Sequence, residues 1–238
     1  MRGRSLTVSQ PHGDQPAPWW PGGLDEGLDE GLDMDGSTEL GLFDVEDPRG
    51  ANSVTIGPGG VGKGRNTIRF WRAASGNRVE IGQGCTFNDL KVVFKGNGNR
   101  LILGDGVRWT GHILIVGRGR RVEIGPRTTA QGAYILSRGA DVTIGADCML
   151  SREIEIRATD VHKIYDRETG AHLNPASPVI VGDRVWIAAR AILSKGARVP
   201  TGCVVGAASF VNRNFAEPDA VIAGTPARIR RRGIRWER

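Results

Sequence analysis

From Asn77 onward, apolar and polar residues alternate in short runs that keep returning. NRVEIGQGCTF, NRLILGDGVRW, RRVEIGPRTTA and ADVTIGADCML begin at residues 77, 99, 120 and 140. In each, an aliphatic residue, a variable one and then Ile or Leu precede a glycine: Val79/Ile81/Gly82, Leu101/Leu103/Gly104, Val122/Ile124/Gly125 and Val142/Ile144/Gly145. Alternation with period two predicts a strand buried on one face, and starts spaced 20 to 22 residues apart predict one solenoid turn per repeat. The glycine predicts a turn or bulge that needs backbone freedom.

After Val181 the period tightens to six: VGDRVW, IAARAI, LSKGAR, VPTGCV, VGAASF and then Val211. The first place is always aliphatic (Val181, Ile187, Leu193, Val199, Val205, Val211), and the fifth is mostly small (Val185, Ala191, Ala197, Cys203, Ser209). Cys85, Cys148 and Cys203 each lie four residues after an aliphatic first place, Ile81, Ile144 and Val199, so all three thiols are expected on the small inward position of a coil. Three scattered cysteines without a C-x-x-C pair support neither a disulfide framework nor a zinc cluster.

Between Gly145 and Gly182 the repeat opens to 37 residues. The extra length predicts an inserted loop over about 157–178, read as RATDVHKIYDRETGAHLNPASP, with Asn174-Pro175 and Ser177-Pro178 as turn signals near its end. Insertions in solenoids project from one face and commonly carry function. This one holds His162, one of four histidines in the chain.

Composition agrees with many short strands. Glycine is abundant at 35 of 238 residues and aromatics make up 6%, which points to an all-β solenoid or barrel with room for one sizeable core. Charge divides the chain. Residues 1–50 hold three basic and eleven acidic side chains, net −8, and residues 51–238 hold 29 and 15, net +14. The segment 1–51, with Trp19-Trp20 and the acidic repeat GLDEGLDEGLDMDG, is expected to be disordered, and residues 52–238 to form the folded domain. No run approaches a membrane span and the N-terminus lacks the apolar core of a signal peptide, so a cytoplasmic address is expected. The basic domain suits nucleic acid, anionic lipid or a phosphorylated cofactor; no basic patch interleaved with aromatics argues for nucleic acid.

The six-residue pattern resembles the hexapeptide-repeat acyltransferases, whose chain winds as a left-handed parallel β-helix with three six-residue sides per coil. That handedness comes from the resemblance, since the general preference for right-handed crossovers predicts the opposite. The inserted loop resembles more narrowly the bacterial O-acetyltransferases of capsular or lipopolysaccharide sugars. There a loop of the form S-D-x-H-x-I-x-D, then N-P-A, precedes I-G-D-x-V-W-I-G. Here it reads Thr159-Asp160-Val161-His162-Lys163-Ile164-Tyr165-Asp166, then Asn174-Pro175-Ala176, then Val181 to Ala188 through Trp186. Ala188 and Thr225 depart from the usual Gly and Asn.

Acetyl transfer to an alcohol needs a base for the hydroxyl proton, and imidazole, with a pKa of about 6.5, suits neutral pH. His162 is the candidate general base; a loop histidine in an ordinary hydrogen bond is the plain alternative. Asp160, two residues away, either orients that imidazole or forms a turn. The resemblance places Trp186 beside the histidine as a platform or indole donor, although a tryptophan at the sixth place, near Ile192 and Phe210, also reads as packing. It implies acetyl-CoA as co-substrate, held by Ala189, Ala207, Asn212, Arg213, Arg228 and Arg231 within a basic C-terminal run, and it implies a homotrimer with sites between subunits. His112 and His172 fall outside the motif. They do not complete the three-histidine set of a zinc-dependent carbonic anhydrase on the same fold, and no metal is expected. An antibiotic or other small alcohol is the alternative acceptor. A non-catalytic binding module is the remaining reading, and the histidine loop argues against it.

Overall fold

A computed structural model describes Ser37–Glu39 and residues 41–238. Among the described residues there are 22 strands, which wind as a parallel β-solenoid except that the first and the last pair antiparallel with their neighbours. Among the same residues there is no helix, hence none long and apolar enough to cross a membrane. Each coil has three sides. The first face stacks Ser53–Ile56, Arg78–Ile81, Arg100–Leu103, Arg121–Ile124, Val142–Ile144, Val179–Val181 and Arg198–Val199. The second ends in Met149–Leu150, Trp186–Ile187, Val204–Val205 and Val221–Gly224, and the third in Ile154–Arg157, Ile192–Leu193 and Phe210–Val211.

In the middle coils the second and third faces are one continuous strand. Thr86–Asn97, Arg108–Arg118 and Thr129–Arg138 turn the corner through register shifts between Asn88 and Leu90 and between Ala130 and Ala133. The extra corner residues account for coils of 22, 21 and 20 residues (Val79↔Leu101↔Val122↔Val142) against 18 in the hexapeptide coil (Val181↔Val199). Gly111 sits at one such corner at φ +133°, where a Cβ would come within 2.1 Å of the Ala133 carbonyl oxygen.

Stacking explains the repeat chemistry. Every coil sits in register on the last, so the same position recurs with the same surroundings. The six aliphatic first places from Val181 to Val211 are buried, as are the small fifth places, Ser209 included. Cys85, Cys148 and Cys203 lie in one internal column with Val107, Thr128, Val185 and Ala220, joined by hydrogen bonds such as Thr129 N–H to Cys148 O (2.9 Å) and Trp186 N–H to Cys203 O (3.0 Å). All three are free thiols. Burial pushes the Cys148 thiol up to about 11 and raises the other two, which keeps them unreactive.

Two expectations change. The glycine after each Ile/Leu is needed for space rather than for left-handed backbone: a Cβ at Gly82, Gly104 or Gly125 would stand 2.5–2.6 Å from backbone atoms of the next coil, and none of the three has positive φ. The solenoid also begins ahead of Asn52. Asp44–Glu46 pairs in parallel with Thr67–Phe70, Phe43 and Val45 are buried, and Phe43 packs on Phe87 with centroids 5.1 Å apart. Trp19-Trp20 and the acidic repeat lie outside the described residues.

Candidate functional site

The inserted loop leaves the third face after Ile154–Arg157 and re-enters at the first face with Val179–Val181. Its base is closed by Ala158, which is buried, donates to Leu136 O (3.0 Å) and accepts from Ser177 N–H (3.0 Å). His162 follows immediately. Its N–H bonds to Asp160 O at 2.8 Å across Val161, which adopts φ +69°. A β-branched residue there is uncommon and costs on the order of 1–3 kcal/mol, so surrounding contacts must hold it.

Asn174 provides them. Its Nδ2 donates to Asp160 Oδ2 and to His162 O, both at 2.9 Å, and its Oδ1 accepts from Ile164 N–H at 2.6 Å. Lys195, on the next coil, pairs through Nζ with Asp160 Oδ2. The Lys195 ammonium, with help from Asn174 and against the opposing effect of burial, holds the Asp160 carboxyl below the usual carboxylate range. Asp160 therefore fixes the turn through Lys195 and Asn174 and acts on His162 through its backbone. The His162 side chain is exposed, and among the described residues its imidazole has no hydrogen-bond partner.

Beyond His162 the loop is a small hairpin. Tyr165 and His172 bridge in antiparallel fashion with ring centroids 5.3 Å apart, and Asp166 Oδ1 accepts from Glu168 N–H (3.1 Å) and from Thr169 N–H (2.7 Å) and Oγ1 (2.8 Å) at the tip. Three large apolar side chains, Ile164, Tyr165 and Leu173, are more than half exposed on it.

Trp186 is half-buried on the second face, outside the core. Its Nε1 donates to Ser151 Oγ at 3.4 Å, and its ring lies 6.2 Å from that of Trp236. The His162 loop springs from the corner between the third and first faces, which in a three-sided coil is across from the second. One chain thus carries His162 and Trp186 on different sides. The C-terminal strap beside Trp186 is a feature sequence reasoning missed: Trp236 Nε1 donates to Arg184 O (2.9 Å) and Arg238 to Cys148 O (2.7 Å). The lone Trp in GIRWER was its only signal.

The expected coenzyme residues fall in three places. Ala189 and Ala207 stack on adjacent coils at the corner between second and third faces, where Ala208 N–H donates to Ala189 O (2.9 Å). Asn212 and Arg213 occupy the corner between third and first faces, beside the coil of Arg198, whose N–H bonds to Arg213 O (3.1 Å). Arg228 and Arg231 are exposed on the last strand, Ala227–Arg231, antiparallel to Val221–Gly224. Their neighbours are engaged locally: Arg230 donates to Ala223 O (2.9 Å) and Arg232 pairs with Glu217 (2.9 Å). Among the described residues, Arg213, Arg228 and Arg231 form no ion pair.

No family model matches the chain. It is 34% identical over 132 residues to a polysialic acid O-acetyltransferase of Neisseria meningitidis, an alignment spanning 55% of this chain and 61% of that protein's length. Its fold is similar to the crystal structure of the polySia specific acetyltransferase NeuO (TM-score 0.77, 30% identity, 82% of each chain). It is also similar to that of the polysialic acid O-acetyltransferase OatWY (TM-score 0.68, 29% identity, 77% of this chain and 92% of that one). With identity at this level sustained along the coils, the chain belongs to the hexapeptide-repeat acyltransferase family, beside the capsule O-acetyltransferases.

Proposed function

We propose that the protein transfers an acetyl group from acetyl-CoA to a hydroxyl of a sugar, in a capsular polysaccharide or lipopolysaccharide, with His162 as general base. The observation that carries this reading is an exposed imidazole, free of internal hydrogen bonds, on a loop stitched at Asp160, Asn174 and Lys195 in a relative of polysialic acid O-acetyltransferases. The neutral imidazole takes the acceptor's proton as its oxygen attacks the thioester carbonyl. The tetrahedral intermediate then collapses, the C–S bond breaks, and the imidazolium returns the proton to the departing thiolate. No covalent acyl-enzyme is needed. Arg228 and Arg231, with Arg213, offer guanidinium groups without an ion pair among the described residues for the coenzyme phosphates, Arg228 donating only to Ala227 O (3.1 Å). The column of free thiols fits a reducing, cytoplasmic setting.

The test is thiol release from acetyl-CoA with a panel of oligosialic acid, neutral oligosaccharides and hydroxylated antibiotics. Acetylation of a sugar acceptor is expected. Turnover confined to the drug alcohols would move the acceptor class to small molecules, and no turnover with any of them would overturn the reading.

The active unit is proposed to be a homotrimer whose sites pair His162 of one subunit with Trp186 of the next. The support is the placement of the two on different sides of one chain, together with the apolar loop tip of Ile164, Tyr165 and Leu173. Complementation checks it. His162→Ala and Trp186→Ala chains, each nearly inactive alone, should recover about a quarter of wild-type sites when coassembled at equal amounts, by random assortment around a closed ring. Mixed assemblies that stay inactive, or an active monomer in sedimentation, would exclude the shared site.

A further inference from the structure

We infer that Lys195 is a positioning residue of the acetyl-transfer site, holding His162 in place through Asp160 and Asn174. The inference rests on His162 acting as the base, as proposed above.

Lys195 is 35 positions away from Asp160 in sequence and belongs to the coil that follows the loop, in the turn between Ile192–Leu193 and Arg198–Val199. Its own backbone is well fixed. Ala197 N–H closes the turn on Ser194 O at 3.0 Å, and Gly196, at φ +75°, lies against Ser177 at the loop's base. The Lys195 side chain is only 21% exposed. From that rigid platform its ammonium meets Asp160 Oδ2, the same oxygen that accepts from Asn174 Nδ2. Asn174 then bonds to the backbone on both sides of His162's exit, at His162 O and Ile164 N–H. Each link leads to the next: coil to ammonium, ammonium to carboxylate, carboxylate to amide, amide to the peptide that carries the imidazole.

The turn needs such a hold because Val161 sits at φ +69° and the His162 side chain itself contributes no hydrogen bond. With its carboxylate end 39% exposed, a single ion pair of this type adds little to global stability, so its effect belongs in placement rather than in the folding equilibrium. Catalysis is sensitive to placement, since a displacement of about 1 Å costs on the order of 10²-fold in rate.

The experiment uses the full-length protein with acetyl-CoA and an acceptor sugar. Lys195→Met should lower kcat by about 10- to 100-fold with the KM for acetyl-CoA and the thermal midpoint unchanged, and Lys195→Arg, which keeps a cation in reach of Asp160, should recover most of it. Because Lys195 acts through Asp160, the Lys195→Met/Asp160→Ala double variant should be no slower than Asp160→Ala alone. An activity-independent measurement accompanies these: tryptic cleavage after Lys163 and Arg167 should accelerate in Lys195→Met.

A raised KM for acetyl-CoA with intact kcat would make Lys195 a coenzyme contact and overturn the inference. Wild-type kcat with unchanged loop cleavage would do the same. His162→Ala, assayed in parallel, separates the two claims. If that variant keeps its turnover, the base assignment falls; if it is inactive while Lys195→Met is normal, only the role of Lys195 falls.

Discussion

His162→Ala is expected to lower kcat by about 10²- to 10⁴-fold, the range set by loss of a general base, with little change in the KM for acetyl-CoA. The structure makes this substitution unusually clean. Both hydrogen bonds that hold residue 162 use its backbone, N–H to Asp160 O and carbonyl from Asn174 Nδ2, so alanine keeps them. The imidazole is exposed and leaves neither a cavity nor an unpaired buried group behind. Steady-state kinetics, a melting curve and calorimetric titration of coenzyme A should therefore show a catalytic loss alone. His172→Ala is the matching control. That ring packs against Tyr165 at the loop tip, away from the Asn174 bonds, and its removal is expected to leave turnover close to wild type. Wild-type turnover in His162→Ala would end the assignment, and a large loss in His172→Ala would transfer it.

The coils were legible because a stacked fold repeats its constraints. Strands in register require the same residue type at the same place in each turn, and the aliphatic first place and small fifth place from Val181 to Val211 report that directly. The cysteine column followed from the same counting. Other parts were hidden for identifiable reasons. Bulges at Asn88/Leu90 and Ala130/Ala133 interrupt alternation, which obscures that one strand lines two faces. Phe43 and Val45 alternate with Asp44 and Glu46 in a strongly acidic stretch, so the opening strand resembles the tail before it. At the site, the motif named Asp160, His162 and Asn174 but neither the bonds that tie them together nor Lys195. Asn174 lies 14 residues from Asp160 and read as a turn former, and Lys195 lies 35 residues away inside a plain repeat. Long-range pairs of this kind leave no local pattern. The separation of His162 from Trp186 has the same origin: a motif preserves order along the chain and says nothing about which side of a coil each residue occupies.

Asn77→Ala is expected to destabilise the fold by about 2–4 kcal/mol, since it orphans one buried N–H at roughly 1–3 kcal/mol and takes one partner from each of two further polar groups at a smaller cost. Asn52, Asn77 and Asn99 occupy the same corner of successive coils and form a ladder. Asn77 Nδ2 donates to Asn52 Oδ1 (2.8 Å) and Gly96 O (2.9 Å), while Asn77 Oδ1 accepts from the backbone N–H and the Nδ2 of Asn99, both at 2.9 Å. With Asn77 and Asn99 each 1% exposed, water cannot replace what is lost. The alanine variant leaves the Asn99 N–H without its acceptor, removes one of two acceptors from the Asn99 amide, which keeps Gly117 O at 3.0 Å, and strips Gly96 O of its side-chain donor. Asn52 suffers less, because Asn77 N–H still reaches its Oδ1 at 3.0 Å. Aspartate is no remedy. It keeps the acceptor but discards both donors and buries a charge with no cation beside it. The ladder stops where the sequence changes: Asn99 Oδ1 accepts from Arg120 N–H (2.8 Å), and from there Asp141 takes over by accepting from Arg121 N–H (3.1 Å). Urea midpoints of the wild type, Asn77→Ala and Asn77→Asp, with exposed Asn88→Ala as a control expected to stay within about 0.5 kcal/mol, measure the effect. If Asn77→Ala cost no more than the Asn88 control, the coils would be held by aliphatic stacking alone and the ladder would be incidental to it.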